Sequence, residues 1–198
     1  MSGEVILVDA GGSNIGSVRY ALQRLGVEAE LSADAGRIRA ARHVILPGVG
    51  AAAPGMRRLR EAGLIEVIRA LTQPVLGVCL GMQLLFERSE EGDTPCLGVV
   101  AGVVQRFAQH EDLRVPHMGW NELRVERMHP LLDGVDGDAY AYFVHSYAAP
   151  LGPTTLASTE HGGAFAAIVQ QNNFFGMQFH PERSGRIGAQ LLRNFLSL

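Results

Sequence analysis

Pro74-Val75-Leu76-Gly77-Val78-Cys79-Leu80-Gly81-Met82-Gln83 joins an apolar run to a helical stretch through a cysteine set between two glycines. The stretch reads as a buried strand, a sharp turn and a helix over Leu80 to Arg88. That is the context of a nucleophile elbow, with cysteine in place of serine. Glycine is needed on both flanks because a Cβ there would collide with so tight a turn. The helix that follows aims free N–H groups and its positive dipole end at the sulfur, which favours thiolate. Far along the chain, His180-Pro181-Glu182 supplies an imidazole to take the thiol proton and a carboxylate to orient it. In an extended segment residues two apart face the same side, so His180 and Glu182 are expected to act as a unit. Together the two motifs predict Cys-His-Glu acyl-transfer chemistry.

Around the elbow, short apolar strands alternate with amphipathic helices. Val5-Ile6-Leu7-Val8 is a continuous apolar run ending at Asp9 and a Gly-Gly turn, the pattern of a buried parallel strand. Ser13 or Asn14 can cap the next helix, which has Val18, Leu22 and Leu25 on one face and Gly26 as its stop. Glu28 to Leu31 reads as an edge strand, His43 to Leu46 as a buried one, and Arg57 to Leu71 as a helix ended before Pro74. From Gly98 to Gln178 the segments turn short and β-rich: Val99 to Phe107, Leu123 to Val125, Ala141 to Val144, Phe165 to Gln170 and Phe174 to Phe179. A helix over Ile187 to Leu196 closes the chain. This order predicts one α/β domain over residues 1–198, with a mixed, mainly parallel central sheet flanked by helices and extra antiparallel strands in the second half. Sites in such folds form at the C-terminal ends of parallel strands, where Asp9, Pro47 to Gly50 and Cys79 all fall.

Bulk properties exclude several classes of function. The chain has 198 residues, 47% hydrophobic and 19% charged, with a net charge of −3 and no basic run, so it carries no footprint for nucleic acid or a membrane surface. No apolar stretch approaches the ~18 residues of a membrane span, and the N-terminus lacks a signal-peptide pattern, so a cytoplasmic location is expected. All seventeen basic residues are arginine. Without lysine there is no Schiff base, no pyridoxal-phosphate chemistry of the usual kind and no P-loop cation. Two cysteines make no disulfide framework; Cys96, in a loop after Thr94-Pro95, reads as a small buried hydrophobe.

Asp9-Ala10-Gly11-Gly12-Ser13-Asn14-Ile15-Gly16 lacks the middle glycine of a dinucleotide fingerprint and reads as a turn into a capped helix. Pro47-Gly48-Val49-Gly50 ends a strand with glycines whose N–H groups can approach a ligand, so Val49, Gly50 and Leu80 are oxyanion candidates. His145-Ser146-Tyr147 ends a strand; with His180 and Glu182, His145 could instead form a two-histidine, one-carboxylate iron site, a reading that leaves the elbow unexplained. His43, His110, His117, His129 and His161 read as isolated surface or hydrogen-bonded histidines. Trp120, within Pro116-His117-Met118-Gly119-Trp120-Asn121, is either a core anchor or an interface hot spot.

With these residues in hand, the chain resembles the class I, triad-type glutamine amidotransferases, through Gly77 to Gln83 and through Gly176-Met177-Gln178-Phe179-His180-Pro181-Glu182-Arg183-Ser184. Within them it is most similar to the glutaminase subunits of imidazole glycerol phosphate synthases, through Pro47 to Gly50, Pro116 to Asn121 and Tyr142-Phe143-Val144-His145-Ser146-Tyr147. The resemblance implies a flavodoxin-like amidotransferase fold, with Cys79, His180 and Glu182 as catalytic triad and no metal or cofactor. It further implies hydrolysis of L-glutamine, with Gly50, Gln83, Ser146 and Tyr147 holding the substrate. Ammonia would pass to a β/α-barrel cyclase subunit in a heterodimer serving histidine biosynthesis. Asn14, Met118, Trp120, Asn121 and Arg183 would face that partner, and the Pro47–Gly50 loop would rearrange when the synthase site fills. The chain departs from the family at Ala10, where tyrosine is usual, at Ser13, where glycine is usual, and at Arg183, where lysine is common. Alternatives are the glutaminase subunit of another amidotransferase, a stand-alone cysteine hydrolase or peptidase, and a degenerate binding subunit.

Overall fold

The all-apolar run Val5–Val8 forms strand β1, buried at every position, as a strand covered on both faces requires. A computed structural model describes residues 5–9, 15–108, 113–135 and 139–198. Ala10, Ser13, Asn14 and His110 lie outside the described residues. Helix α1 (Ile15–Arg24) turns Val18, Ala21 and Leu22 inward, and the chain leaves it through Gly26, where φ is +78°. Strand β2 (Ala29–Ser32) follows, then α2 (Ala35–Ala40), capped by the Asp34 side chain accepting from Arg37 N. Next come β3 (His43–Gly48), α3 (Ala52–Glu61), α4 (Ile65–Arg69), β4 (Val75–Cys79) and α5 (Leu80–Leu85).

The second half adds β5 (Phe86–Ser89), β6 (Thr94–Pro95), β7 (Val100–Arg106), β8 (His117–Glu122), β9 (Arg124–Val125), β10 (Tyr140–His145) and β11 (Tyr147–Ala148). It ends with β12 (Thr155–Glu160), β13 (Ala164–Gln171), β14 (Phe174–Met177) and α6 (Gly185–Leu196). Among the described residues the main sheet has eight strands, in the order β2-β1-β3-β4-β14-β13-β12-β9. Strands β2 to β14 in that order run parallel, and β13, β12 and β9 extend the sheet antiparallel. This is the mixed, mainly parallel sheet expected. An antiparallel pair, β10-β8, and a small sheet, β11-β7-β5-β6, lie outside it. Alternate residues of β1 feed two separate cores: Val5 and Leu7 join Leu22, Phe179 and Phe195, while Ile6 and Val8 join Val44, Leu59 and Met82.

Several expected boundaries move. The helix expected over Arg57 to Leu71 begins earlier, at Ala52, and breaks into α3 and α4 at Gly63, whose φ of +68° no helix accommodates. The helix expected to reach Arg88 stops at Leu85, because Phe86 leaves to pair with Val100 in the small sheet. Strands β6, β8, β11 and β12 and helix α2 go beyond the sequence expectation; β8 and β12 are held by pairing with β10 and β13, two strands that the sequence does mark.

Candidate active site

Cys79 sits at the end of β4 with φ 53° and ψ −111°, a positive-φ conformation that L residues rarely adopt. The flanking glycines are sterically obligatory. A Cβ on Gly81 would stand 1.8 Å from Leu46 O, and one on Gly77 would stand 2.6 Å from Gly81 C and O. The turn is therefore wedged against β3, and the thiol is presented where α5 begins.

Sheet pairing then brings the base. β4 and β14 are parallel neighbours, with Val78 opposite Met177, so the chain leaving β14 carries His180 to the sulfur. His180 and Glu182 meet, but not through an extended segment. Pro181–Arg183 forms a 3-10 turn, and that turn places Glu182 Oε1 2.9 Å from His180 Nδ1. Proline at the first position of the turn favours this geometry over extended chain. Both side chains are shielded, at 8% and 1% exposure. Ser184, to which the sequence assigns no role, locks the imidazole's backbone: its Oγ donates to His180 O at 2.7 Å and accepts from Tyr142 N at 2.9 Å. His180 N in turn donates to Tyr142 O at 2.9 Å.

Burial opposes a charge on His180, but hydrogen bonds to Cys79 and Glu182, and the charges of both, outweigh it and push its pKa up to about 10. An imidazole that holds a proton this firmly beside a sulfur suits a thiolate–imidazolium pair. Cys96 is the contrasting thiol: burial pushes its pKa up to about 11, and its Sγ lies 3.4 Å from Thr94 O.

A cavity of about 290 Å³ opens over Cys79. Val49 and Gly50, from the loop after β3, line it with Leu80 and Gln83 of α5 and with Ser146 and Tyr147 after β10. All the residues singled out for oxyanion and substrate contacts thus face one space. Gly50 has φ +94°, which keeps its loop beside the elbow in a conformation few side chains allow. Glu91, Pro116 and Val144, to which the sequence assigns no role in the site, complete the wall with His145. Glu91 also fixes the downstream end of the Gly50 loop, its Oε2 accepting from Ala52 N at 2.7 Å. Gln178, likewise unmarked, accepts from Gln83 Nε2 at 3.0 Å and brings its Nε2 to 4.0 Å from Cys79 Sγ.

The interface candidates divide. Met118 and Trp120 project outward from β8 at 63% and 56% exposure, so Trp120 is no core anchor; its ring packs edge-on against Tyr142. Arg183 is exposed on the turn beside the triad. Asn121 faces inward instead, donating from Nδ2 to Glu160 O at 2.8 Å, because alternate residues of a strand take opposite faces. His117 is not isolated: it contacts His145 and stacks on His161. The iron-site alternative finds no geometry here, since His145 turns its ring nitrogens to Tyr147 O and His117. Among the described residues no group of three or more His, Cys, Asp or Glu is arranged to hold a metal.

Comparison with known proteins gives the relationship. The family described as Glutamine amidotransferase class-I matches residues 6–198. Over 195 residues, 98% of each chain, this one is 58% identical to "Imidazole glycerol phosphate synthase subunit HisH" of Xylella fastidiosa. It is 56% identical, over the same coverage, to the protein of that name from Xanthomonas euvesicatoria pv. vesicatoria. A solved glutamine amidotransferase shares the fold at a TM-score of 0.75 and 24% identity, covering 97% of both chains. The solved PurLQS of Thermotoga maritima does so at 0.74 and 19%, covering 100% of this chain and 99% of its own. This chain belongs to the class I glutamine amidotransferases.

Proposed function

We propose that this chain, as a single amidotransferase domain over residues 1–198, is the glutaminase subunit of an imidazole glycerol phosphate synthase. The near full-length identity of 58% to a subunit of that name carries the reading. The meeting of a strained cysteine, a carboxylate-held imidazole and the Val49–Gly50 loop in one cavity supports it at the level of chemistry.

In this reading L-glutamine enters the cavity with its carboxamide over Cys79. His180, oriented by Glu182, holds the thiol proton, and the thiolate attacks the carboxamide carbon. Backbone N–H groups of the Val49–Gly50 loop and of Leu80 receive the oxyanion. His180 returns the proton to the departing nitrogen, the C–N bond breaks and ammonia leaves. Water, deprotonated by His180, then cleaves the thioester to glutamate and restores the thiol. Gln83, Ser146 and Tyr147 hold the amino-acid end of the substrate, and Glu91 offers the carboxylate suited to its ammonium group. Ammonia passes to a partner cyclase subunit, of the β/α-barrel fold the resemblance implies, docked over Met118, Trp120 and Arg183; the resemblance assigns Asn14 and Asn121 to the same interface. The reaction needs no cofactor. A cytoplasmic setting belongs to the same proposal; among the described residues no helix is long and apolar enough to cross a membrane.

The test is glutamate release from glutamine by the purified chain, alone and with a cyclase subunit plus its nucleotide ligand. A low rate alone that rises strongly in the liganded complex is the expected result. Brisk hydrolysis indifferent to the partner would replace this reading with a stand-alone hydrolase.

A further inference from the structure

His117 and His145 stand directly opposite each other in the β8–β10 pair, so their side chains meet across the strands. His117 Nδ1 lies 3.3 Å from His145 Nε2. His145 Nδ1 lies 2.8 Å from Tyr147 O, and His117 Nε2 lies 3.3 Å from Asn121 Nδ2. These contacts leave one consistent assignment of protons. A carbonyl only accepts, so His145 carries hydrogen on Nδ1 and presents a lone pair at Nε2. His117 must then donate from Nδ1 and accept at Nε2. The Asn121 amide satisfies that last requirement, and its orientation is fixed independently: Nδ2 also donates to Glu160 O, while Oδ1 accepts from Glu122 N at 2.9 Å. The two ends of this chain of bonds require the same two tautomers.

The chain of bonds ends at a junction in the cavity wall. Tyr147 O accepts from His145 on one side and from Gln83 Nε2, at 2.9 Å, on the other. Gln83 also donates to Gln178, beside the sulfur.

We propose that His117 and His145 are positioning residues for the glutamine pocket: as two neutral Nδ1–H imidazoles in series they hold the Tyr147 carbonyl, and through it Gln83, at the cavity wall. The surroundings keep both rings uncharged. Burial pushes His145 down to about 3, against a smaller upward pull from its bond to Tyr147 O, and burial with the neighbouring His161 pushes His117 down to about 4. The His117 ring is clamped between His161, at a centroid distance of 4.1 Å, and Phe143, at 5.0 Å. The outer face of the same strand carries the exposed Met118 and Trp120. The strand that presents an apolar pair to solvent is thus the one that sets the pocket wall from within.

This inference rests on the glutaminase reading. Its test uses two substitutions at His117, measured in the complex with the cyclase subunit. His117→Phe keeps a flat ring in the stack and removes both nitrogens; His117→Asn gives up the ring and keeps a donor for His145 Nε2. If the bond is what matters, Phe should raise the KM for glutamine about ten-fold, the worth of a hydrogen bond of roughly 1.4 kcal/mol, with kcat far less affected. Asn should recover most of that loss. Alkylation of Cys79 by iodoacetamide should proceed at the wild-type rate in both variants. Indifference of the Phe variant, a loss with Asn but not Phe, or equal losses in KM, kcat and alkylation would each overturn the proposal. In a second measurement, long-range proton–nitrogen correlation spectra of the wild-type chain should show both rings as Nδ1–H tautomers; Nε2–H at either would also overturn it. A wild-type complex without glutaminase activity would instead bring down the functional reading, and this inference with it.

Discussion

At Cys79 the positive-φ backbone is already taken by an L residue, so Cys79→Ala adds no new conformational strain. The variant should release no measurable ammonia from glutamine while melting near the wild-type temperature and still binding the cyclase; residual glutaminase activity above a trace would remove Cys79 as nucleophile. Glu182→Gln should cost activity less severely, by about two orders of magnitude less than loss of the nucleophile, because the orienting group is not consumed. It should also change the pH profile. Glu182 helps hold the His180 proton to about pH 10, so the alkaline limb of kcat/KM should move to lower pH in the variant. Much at this scale is legible in sequence, since the demand for Gly77 and Gly81 around the cysteine is local and steric. The histidine pair is not. Nothing within reach of His117 in sequence announces His145, and only the register of two strands makes them neighbours.

Elements are where local reading loses ground. The elbow holds because Gly81 packs directly on the backbone of β3, so Gly81→Ala should destabilise the protein by at least about 3 kcal/mol or prevent folding, read as a lowered urea midpoint. A melting curve like that of the wild type would mean the elbow has more room than its contacts allow. Runs such as Val5–Val8 and Val75–Cys79 are plain from their unbroken apolar character. The end of α5 is hidden because Leu80 to Arg88 could continue as helix; it stops where Phe86 finds Val100. The turn at Pro181 reads as extended because spacing alone equates two residues apart with one face, and a 3-10 turn meets the same need differently.

For the molecule as a whole, proton linkage acts in opposite directions at two clusters. His180, held to about 10 against an ordinary 6.5, adds stability in full below pH 6.5 and loses it as pH rises through 10. His117 and His145, held near 4 and 3, leave stability intact above 6.5 and erode it as pH falls toward those values, because the unfolded chain takes up the protons. Urea midpoints should therefore decline below pH 6.5, and less steeply in His117→Phe, which has one fewer such ring; parallel slopes would count against a buried neutral His117. Trp120, more than half exposed, should contribute to assembly rather than to folding: Trp120→Ala should weaken cyclase binding by about 2 kcal/mol in a titration and leave the melting temperature of the free subunit unchanged. The pairing of β4 with β14 also imposes an order on biosynthesis. Ribosomes deliver the chain from its N-terminus, so the nucleophile emerges well before the strand that brings its base. A nascent chain that already displays the thiol lacks His180 to take its proton, and the glutamine around it is safe until the last strand docks.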